Sequence, residues 1–210
     1  IVSSNFKIDK KLAKQLSKYY FEIIVANSFE KGALKILKKK KNIRLVDSIN
    51  FKNKCNASFI FHKGAFLYQN SDGIVVDKKN LRIVSKKKPT KDQLENLIFA
   101  FNISKHAKSN SVVLVKNKST IGIGSGQPSR LDSCKLAIDR ARKYLPKNLT
   151  DCVAASDGFF PFADGVEKLI QTGVGAIIQP QGSIRDKDII KLANKTKTVL
   201  VFSKTRHFKH

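Results

Sequence analysis

Residues 90–203 alternate short apolar segments with stretches whose apolar side chains recur at helical spacing, and that alternation admits few folds. Thr90 followed three residues later by Gln93 makes a capping box. It opens a helix with apolar positions at Leu94, Leu97, Ile98 and Phe101. Strands are expected at 111–116 and 120–124, joined by the turn Lys116-Asn117-Lys118. A helix from about Ser129 to Leu145 follows, then strand 152–156, helix 163–172, strand 175–179, helix 185–195 and strand 198–203. Strands and helices in this order imply an α/β protein, a three-layer α/β/α sandwich with a largely parallel sheet.

The first part of the chain has a related rhythm. Leu12, Ala13, Leu16, Tyr19 and Tyr20 give a helical stripe between Asp9 and Tyr20, residues 21–26 read as a buried strand, Ser28 is a candidate cap for a helix through Leu37, and 42–46 is a further strand. Gly64 and Gly73 punctuate β-rich residues between 57 and 84, and the connector Lys86-Lys87-Lys88-Pro89 places a subdomain boundary near 89. Two tandem units are therefore expected, 1–89 and 90–210.

Charge bears on partners. The net charge of +25 raises the question of nucleic acid, yet only seven of the 41 basic residues are Arg and the rest are Lys. Phosphate and base readout favours the forked guanidinium, so the excess reads as a solvated surface that steers anionic small molecules, and no nucleic-acid partner is expected. The run Lys38-Lys39-Lys40-Lys41 directly follows a helical pattern and suits a helix C-terminus. No apolar run approaches the ~20 residues of a membrane span, and no signal peptide opens the chain, so no membrane partner and a cytoplasmic setting are expected. Cys55, Cys134 and Cys152 are far apart and form no CxxC pair, so neither a disulfide framework nor a zinc site is indicated. The chain has no Met at all and is expected to be a fragment.

Three glycine-punctuated polar clusters fall at strand ends, where open α/β sheets bind ligands. In Lys105-His106-Ala107-Lys108-Ser109-Asn110, His106 reads as a helix C-terminal cation more readily than as a base, whereas Asn110 is a poor entry to an apolar strand unless its amide has a partner. In Gly122-Ile123-Gly124-Ser125-Gly126-Gln127-Pro128-Ser129-Arg130, the glycines serve either close approach to an anionic ligand or turn geometry alone, and Ser129 is a plausible N-cap. In Ser156-Asp157-Gly158-Phe159-Phe160-Pro161-Phe162, three Phe around a Pro make either an aromatic wall for a flat heterocycle or a plug for the core. Partner segments are 180–185 and 206–210.

These clusters resemble the AICAR transformylase part of the bifunctional purine-biosynthesis proteins (formyltransferase and IMP cyclohydrolase). The resemblance rests on KHAKSN at 105–110, IGIGSGQPSR at 121–130, SDGFFPFADGVE at 156–167, IIQPQGSIRD at 177–186 and RHFKH at 206–210. FEIIVANSFEKGALKIL at 21–37 and SDGIVVD at 71–77 extend it toward the start. It implies a cytidine deaminase-like fold of two tandem subdomains, the first incomplete here, and a homodimer with shared active sites. It also implies formyl transfer from the co-substrate 10-formyltetrahydrofolate to the 5-amino group of AICAR, with no metal. By resemblance, Glu22, Asn110, Arg130, Asp164 and Arg206 contact AICAR. Leu131, Phe159, Ser183 and Ile184 contact the folate, with Phe162 and Phe208 packing nearby.

The family's catalytic Lys-His pair lies upstream of Ile1, as does the cyclohydrolase domain, and Lys105-His106 aligns elsewhere, so no catalytic residue is expected in this chain. A zinc nucleoside deaminase of similar fold would need HxE and PCxxC ligands, which are lacking. A non-catalytic binding half would share the same motifs, and a Lys-rich nucleic-acid binder would share the charge. The expected outcome for the 210 residues expressed alone is binding without formyl transfer, because general acid–base help is worth about 10² to 10⁴ in rate. An assay following tetrahydrofolate release checks this, and robust turnover would place a base within the chain.

Overall fold

The structure, a computed structural model, describes residues 1–50, 57–146 and 149–210. Cys55 lies outside the described residues. The chain forms two compact units, 1–71 and 72–210.

The first unit begins with β1 (Val2–Ile8), α1 (Lys10–Leu16), β2 (Ile23–Phe29), α2 (Lys31–Leu37) and β3 (Arg44–Asp47). The strands form a parallel sheet in the order β1-β2-β3. Ile24 and Ala26, on one face, share a core with Ala13 of α1 and with Ala33 and Leu37 of α2. Asp9 caps α1 by accepting from the Leu12 amide. The helix ends at Leu16, short of Tyr20, and Tyr19 and Tyr20 are exposed rather than part of the apolar stripe. Ser28 is a strand residue, because β1 pairs with it through Lys7 and carries β2 on to Phe29; Glu30 is the cap residue of α2. β1 itself was not evident in the sequence, since Ser3, Ser4 and Asn5 give it no apolar alternation. β4 (Ala57–His62) and β5 (Ala65–Asn70) form a hairpin within the β-rich stretch, in which Phe59 pairs with Tyr68 and Phe61 with Phe66.

The second unit contains the turn Lys78–Asn80, β6 (Leu81–Ile83), α3 (Lys91–Ser104), β7 (Val112–Lys116), β8 (Ser119–Gly124), α4 (Arg130–Arg142), β9 (Val153–Ser156), α5 (Asp164–Gln171), β10 (Ala176–Pro180), α6 (Asp186–Lys195) and β11 (Val199–Ser203). The strand order is β6-β11-β10-β9-β7-β8. The boundary between units lies after Ser71 and not near 89. Val76 is buried in the same cluster as Leu97 and Phe101, and β6 pairs antiparallel with β11, so the Lys-Pro connector runs within the second unit.

The sheet is mixed rather than largely parallel. β9, β10 and β11 are parallel, but β7 runs antiparallel to both β8 and β9. Asn117 and Lys118, both at positive φ, close a two-residue hairpin that forces β7 and β8 to oppose one another. Alternate strand residues feed two cores. Val112, Leu114, Ala154, Ile177 and Leu200 pack against α4, α5 and α6, whereas Val113, Val153, Ala155, Ile178 and Val201 pack against α3. This unit is the three-layer sandwich. The parallel strands are buried on both faces, which explains their unbroken apolar runs. The capping box at Thr90 and Gln93 is present, with both reciprocal bonds at 3.1 Å. Cys134 and Cys152 are free and buried, and burial pushes the Cys134 thiol up to about 12.

Gly122 and Gly124 let α4 lie directly on β8. A Cβ at 124 would sit 1.9 Å from the Ser133 carbonyl oxygen, and one at 122 would sit 2.1 Å from that of Ala137. Both obstacles are backbone, so neither can swing aside. Gly124→Ala is expected to destabilise the protein by at least the ~1–3 kcal/mol of an overpacked core, measured by denaturant unfolding. Unaltered stability would mean that α4 and β8 are not packed this closely.

Candidate functional site

Topology gathers the glycine-rich segments at one edge of the second unit's sheet. β9, β10 and β11 deliver 157–164, 181–185 and 204–210 from their carboxyl ends. Because β7 is antiparallel to β9, with Val112 opposite Ser156, its entry residues Asn110 and Ser111 arrive at the same edge. β8 reverses again and brings Gly124 opposite Val112, so the loop into α4 starts there too.

Ser129 caps α4 by accepting from the Asp132 amide at 3.0 Å, which fixes Arg130 in the first turn. The Arg130 guanidinium turns back onto the sheet edge. It donates to Ser156 Oγ at 2.8 Å, to Asp157 Oδ1 and, through Nη2, to Asn110 Oδ1 at 3.0 Å. Arg130 is 8% exposed and Asp157 not at all, so this is a buried ion pair. Its second carboxylate oxygen accepts from Ser109 Oγ at 2.6 Å. The Asn110 amide donates to the carbonyls of Gln127 and Pro128, at 3.0 and 3.2 Å, and its backbone carbonyl accepts from Ser133 Oγ. Asn110 thus has the specific partners that its place before an apolar strand demands. The hydrogen bonds use three of the five N–H groups of Arg130, so the guanidinium is both a structural hub and a donor with capacity left.

Beside this hub lies a cavity of about 470 Å³ lined by Asn110, Pro128, Ser129, Arg130, Leu131, Phe159, Pro161, Phe162 and Asp164. A guanidinium, an amide, a carboxylate and a set of apolar side chains make it suited to a polar ligand with a flat ring. The three Phe divide between the two sequence readings. Phe160 is 1% exposed and fills the core, packed over Gly165, whereas Phe159 is half-buried and Phe162 is 61% exposed, both on the cavity wall.

Arg206 lies outside the lining but stacks over the Phe159 ring, its Cζ 4.8 Å from the centroid, a cation–π arrangement that couples it to the wall. Phe208 approaches from the same segment, 3.0 Å from where a Cβ on Gly158 would stand. Asp164 opens α5 and accepts from the Gly165 amide. Ser183 and Ile184 lie on the loop after β10 and do not line the cavity. Ser183 Oγ accepts from the Arg185 amide, and Ile184 is 99% exposed. Glu22 belongs to the first unit, where its carbonyl accepts from the Arg44 amide.

His106 follows α3, at the helix end where the sequence placed it. Burial, then Lys105 and Lys209, lowers its pKa and favours the neutral ring. Ser109, Ser156 and Asp157 had no assigned role in the sequence, and the structure buries Ser156 and Asp157 completely. Among the described residues, no helix is long and apolar enough to cross a membrane.

A model of the family described as AICARFT/IMPCHase bienzyme matches residues 1–140. Over its whole length the chain is similar to the bifunctional purine biosynthesis protein PurH of Acetivibrio thermocellus, 45% identical with 41% of that protein covered. The PurH proteins of Aquifex aeolicus and Fusobacterium nucleatum are 39% and 43% identical over the whole chain, with 40% and 41% of their lengths covered. The chain therefore spans about two-fifths of the relatives it matches.

Removing one side of the buried pair leaves the other charge uncompensated. Asp157→Ala is expected to cost about 3–5 kcal/mol of stability, and Arg130→Ala a similar amount, by denaturant unfolding. A change under about 1 kcal/mol in both would show that water reaches the pair freely.

Proposed function

This chain belongs to the AICARFT/IMPCHase bienzyme family, and on that premise we propose that it forms the substrate-binding part of an AICAR transformylase acting in purine biosynthesis. The supporting observation is the cavity itself. Arg130 and Asn110 offer donors, Asp164 a carboxylate, and Leu131, Phe159 and Phe162 apolar walls, within a volume suited to a ring-bearing anion.

In the proposed reaction the 5-amino group of AICAR attacks the formyl carbon of 10-formyltetrahydrofolate. A tetrahedral oxyanion forms, the N10–carbon bond breaks, and tetrahydrofolate leaves with a proton. The amine is a weak nucleophile, so the chemistry depends on alignment, a base and a donor to the oxyanion. These residues supply alignment. Asn110, Arg130, Asp164 and Arg206 would hold the nucleotide, while Leu131, Phe159, Phe162, Ser183 and Ile184 would face the folate.

The full exposure of Ile184 suits a residue covered only by a ligand or by a second copy. We extend the proposal to a homodimer with shared active sites, a cytoplasmic setting and a cytidine deaminase-like arrangement of two transformylase subdomains. No metal and no part of the cyclohydrolase reaction is assigned to these residues. The runner-up, a non-catalytic binding half, shares the cavity and differs in turnover alone.

Arg206 is a cleaner probe than Asn110, because Asn110 is built into the hub whereas Arg206 is exposed. In the complete natural polypeptide, Arg206→Ala is expected to raise the Michaelis constant for AICAR roughly ten- to hundredfold, the worth of a charged hydrogen bond of about 1.5–3 kcal/mol. Phe159→Ala should weaken the folate more than the nucleotide through lost stacking. Unchanged constants in both variants would defeat the site assignment, and absent formyl transfer in the wild-type polypeptide would defeat the activity.

A further inference from the structure

We propose that Asp72 and the buried His207 form a clasp that fixes the irregular segment 204–210 and thereby positions Arg206 and Phe208 beside the cavity. The positioning role rests on the reading of that cavity given above; the clasp itself does not.

His207 is fully buried, although Arg206, Phe208, Lys209 and His210 around it are exposed and the segment has no regular secondary structure. Ordering an irregular segment and desolvating an imidazole both oppose folding, so this ring stays buried only through specific contacts. Its Nδ1 lies 2.5 Å from Asp72 Oδ2. A hydrogen bond joins the two, with Asp72 accepting in the tautomer that carries its proton on Nδ1. Nε2 is buried with no hydrogen-bond partner among the described residues, which leaves Asp72 as the side chain's one polar contact there. The ring also packs on Phe101 of α3, with centroids 4.7 Å apart.

The backbone on either side ties the same segment to the hub. The His207 amide donates to the Asp157 carbonyl at 3.0 Å, and the Lys209 amide donates to Ser109 Oγ at 3.1 Å, while the Ser109 amide donates to the Lys209 carbonyl at 2.9 Å. Asp157 binds Arg130 directly, and Ser109 holds Asp157 in place. With residue 207 drawn inward, Arg206 is left over the Phe159 ring and Phe208 against Gly158. Asp72, at the start of the second unit, thus reaches the cavity through His207 without touching it.

Hydrogen exchange and kinetics on the complete natural polypeptide test this together. Asp72→Ala and His207→Leu are expected to speed amide exchange in 204–210 at least roughly tenfold, as for local opening of an unlatched segment, while peptides from α3 and β9 keep wild-type protection. His207→Asn, whose amide nitrogen can overlay Nδ1, should restore slow exchange. If His207→Leu unfolds the whole protein, Asp72→Leu, which keeps roughly the volume and can accept no hydrogen bond, is decisive through the same measurement. Wild-type exchange in 204–210 for the folded Asp72 variants overturns the clasp. In the kinetic arm, Asp72→Ala should raise the Michaelis constant for AICAR by about tenfold with a smaller fall in kcat, because the unlatched Arg206 loses placement. Faster exchange with wild-type constants would overturn the positioning role. Exchange needs no turnover, so a polypeptide without formyl transfer would defeat the functional reading alone.

Discussion

The Arg130–Asp157 pair is the constraint on which the candidate site depends. It joins the first turn of α4 to the loop after β9, and through Asn110 and Ser109 it also joins the entry to β7. A buried guanidinium and carboxylate are expensive to desolvate, and they are tolerated when the remaining donors and acceptors are met. Here Ser156, Asn110 and Ser109 meet them. The pair therefore specifies a geometry more than it adds stability. With its three loops locked, the half-buried and exposed side chains around it, Leu131, Phe159, Phe162 and Asp164, border a cavity of fixed shape. Preorganisation of this kind lowers the cost of ordering a site around any ligand that enters it.

The same arrangement explains why β8 carries two glycines. α4 must approach the sheet closely for Arg130 to reach the end of β9, and any Cβ at Gly122 or Gly124 would collide with the α4 backbone. The motif at 121–130 thus contains a packing device. Gly122 and Gly124 set the height of the helix above the sheet, and Ser129 and Arg130 then exploit its N-terminus. The two readings left open in the sequence, ligand approach and geometry, are separated residue by residue, and geometry governs Gly122 and Gly124.

Much of the second unit was legible because its elements are locally self-consistent. The capping box at Thr90, the apolar runs of β9, β10 and β11 and the turn at Asn117-Lys118 each agree with the tertiary outcome. What escaped was set by partners distant in sequence. β1 is polar and exists through pairing with β2; β6 belongs to the second unit because β11 accepts it as an edge strand; and the antiparallel placement of β7 beside β9 leaves no trace in either strand's composition. The site followed the same division. The family resemblance pointed to Arg130 and Asp164, and Asn110 was visible as a polar residue at a strand entry. The inward turn of Asp157 and His207 was not, because burial of a polar side chain is decided by what lies across from it. For Ser183 and Ile184 the motif indicated a loop at the correct sheet edge but not the distance from the cavity.

The division of labour between Lys and Arg bears on the charge. Described lysine contacts, such as Lys118 with Glu95, Lys105 with the Ile74 carbonyl and Lys209 with the His106 carbonyl, are made at exposed positions, where each is worth little. Arg is used where a planar fork is required: Arg130 bridges three side chains in the buried hub, and Arg206 lies over Phe159. A Lys at 130 would present one ammonium in place of two separated nitrogens and would not reach Asn110, Ser156 and Asp157 together. The large positive charge therefore sets the long-range field, which favours the approach of any anion, whereas Arg130 and Arg206 make directional contacts with their own neighbours at the cavity.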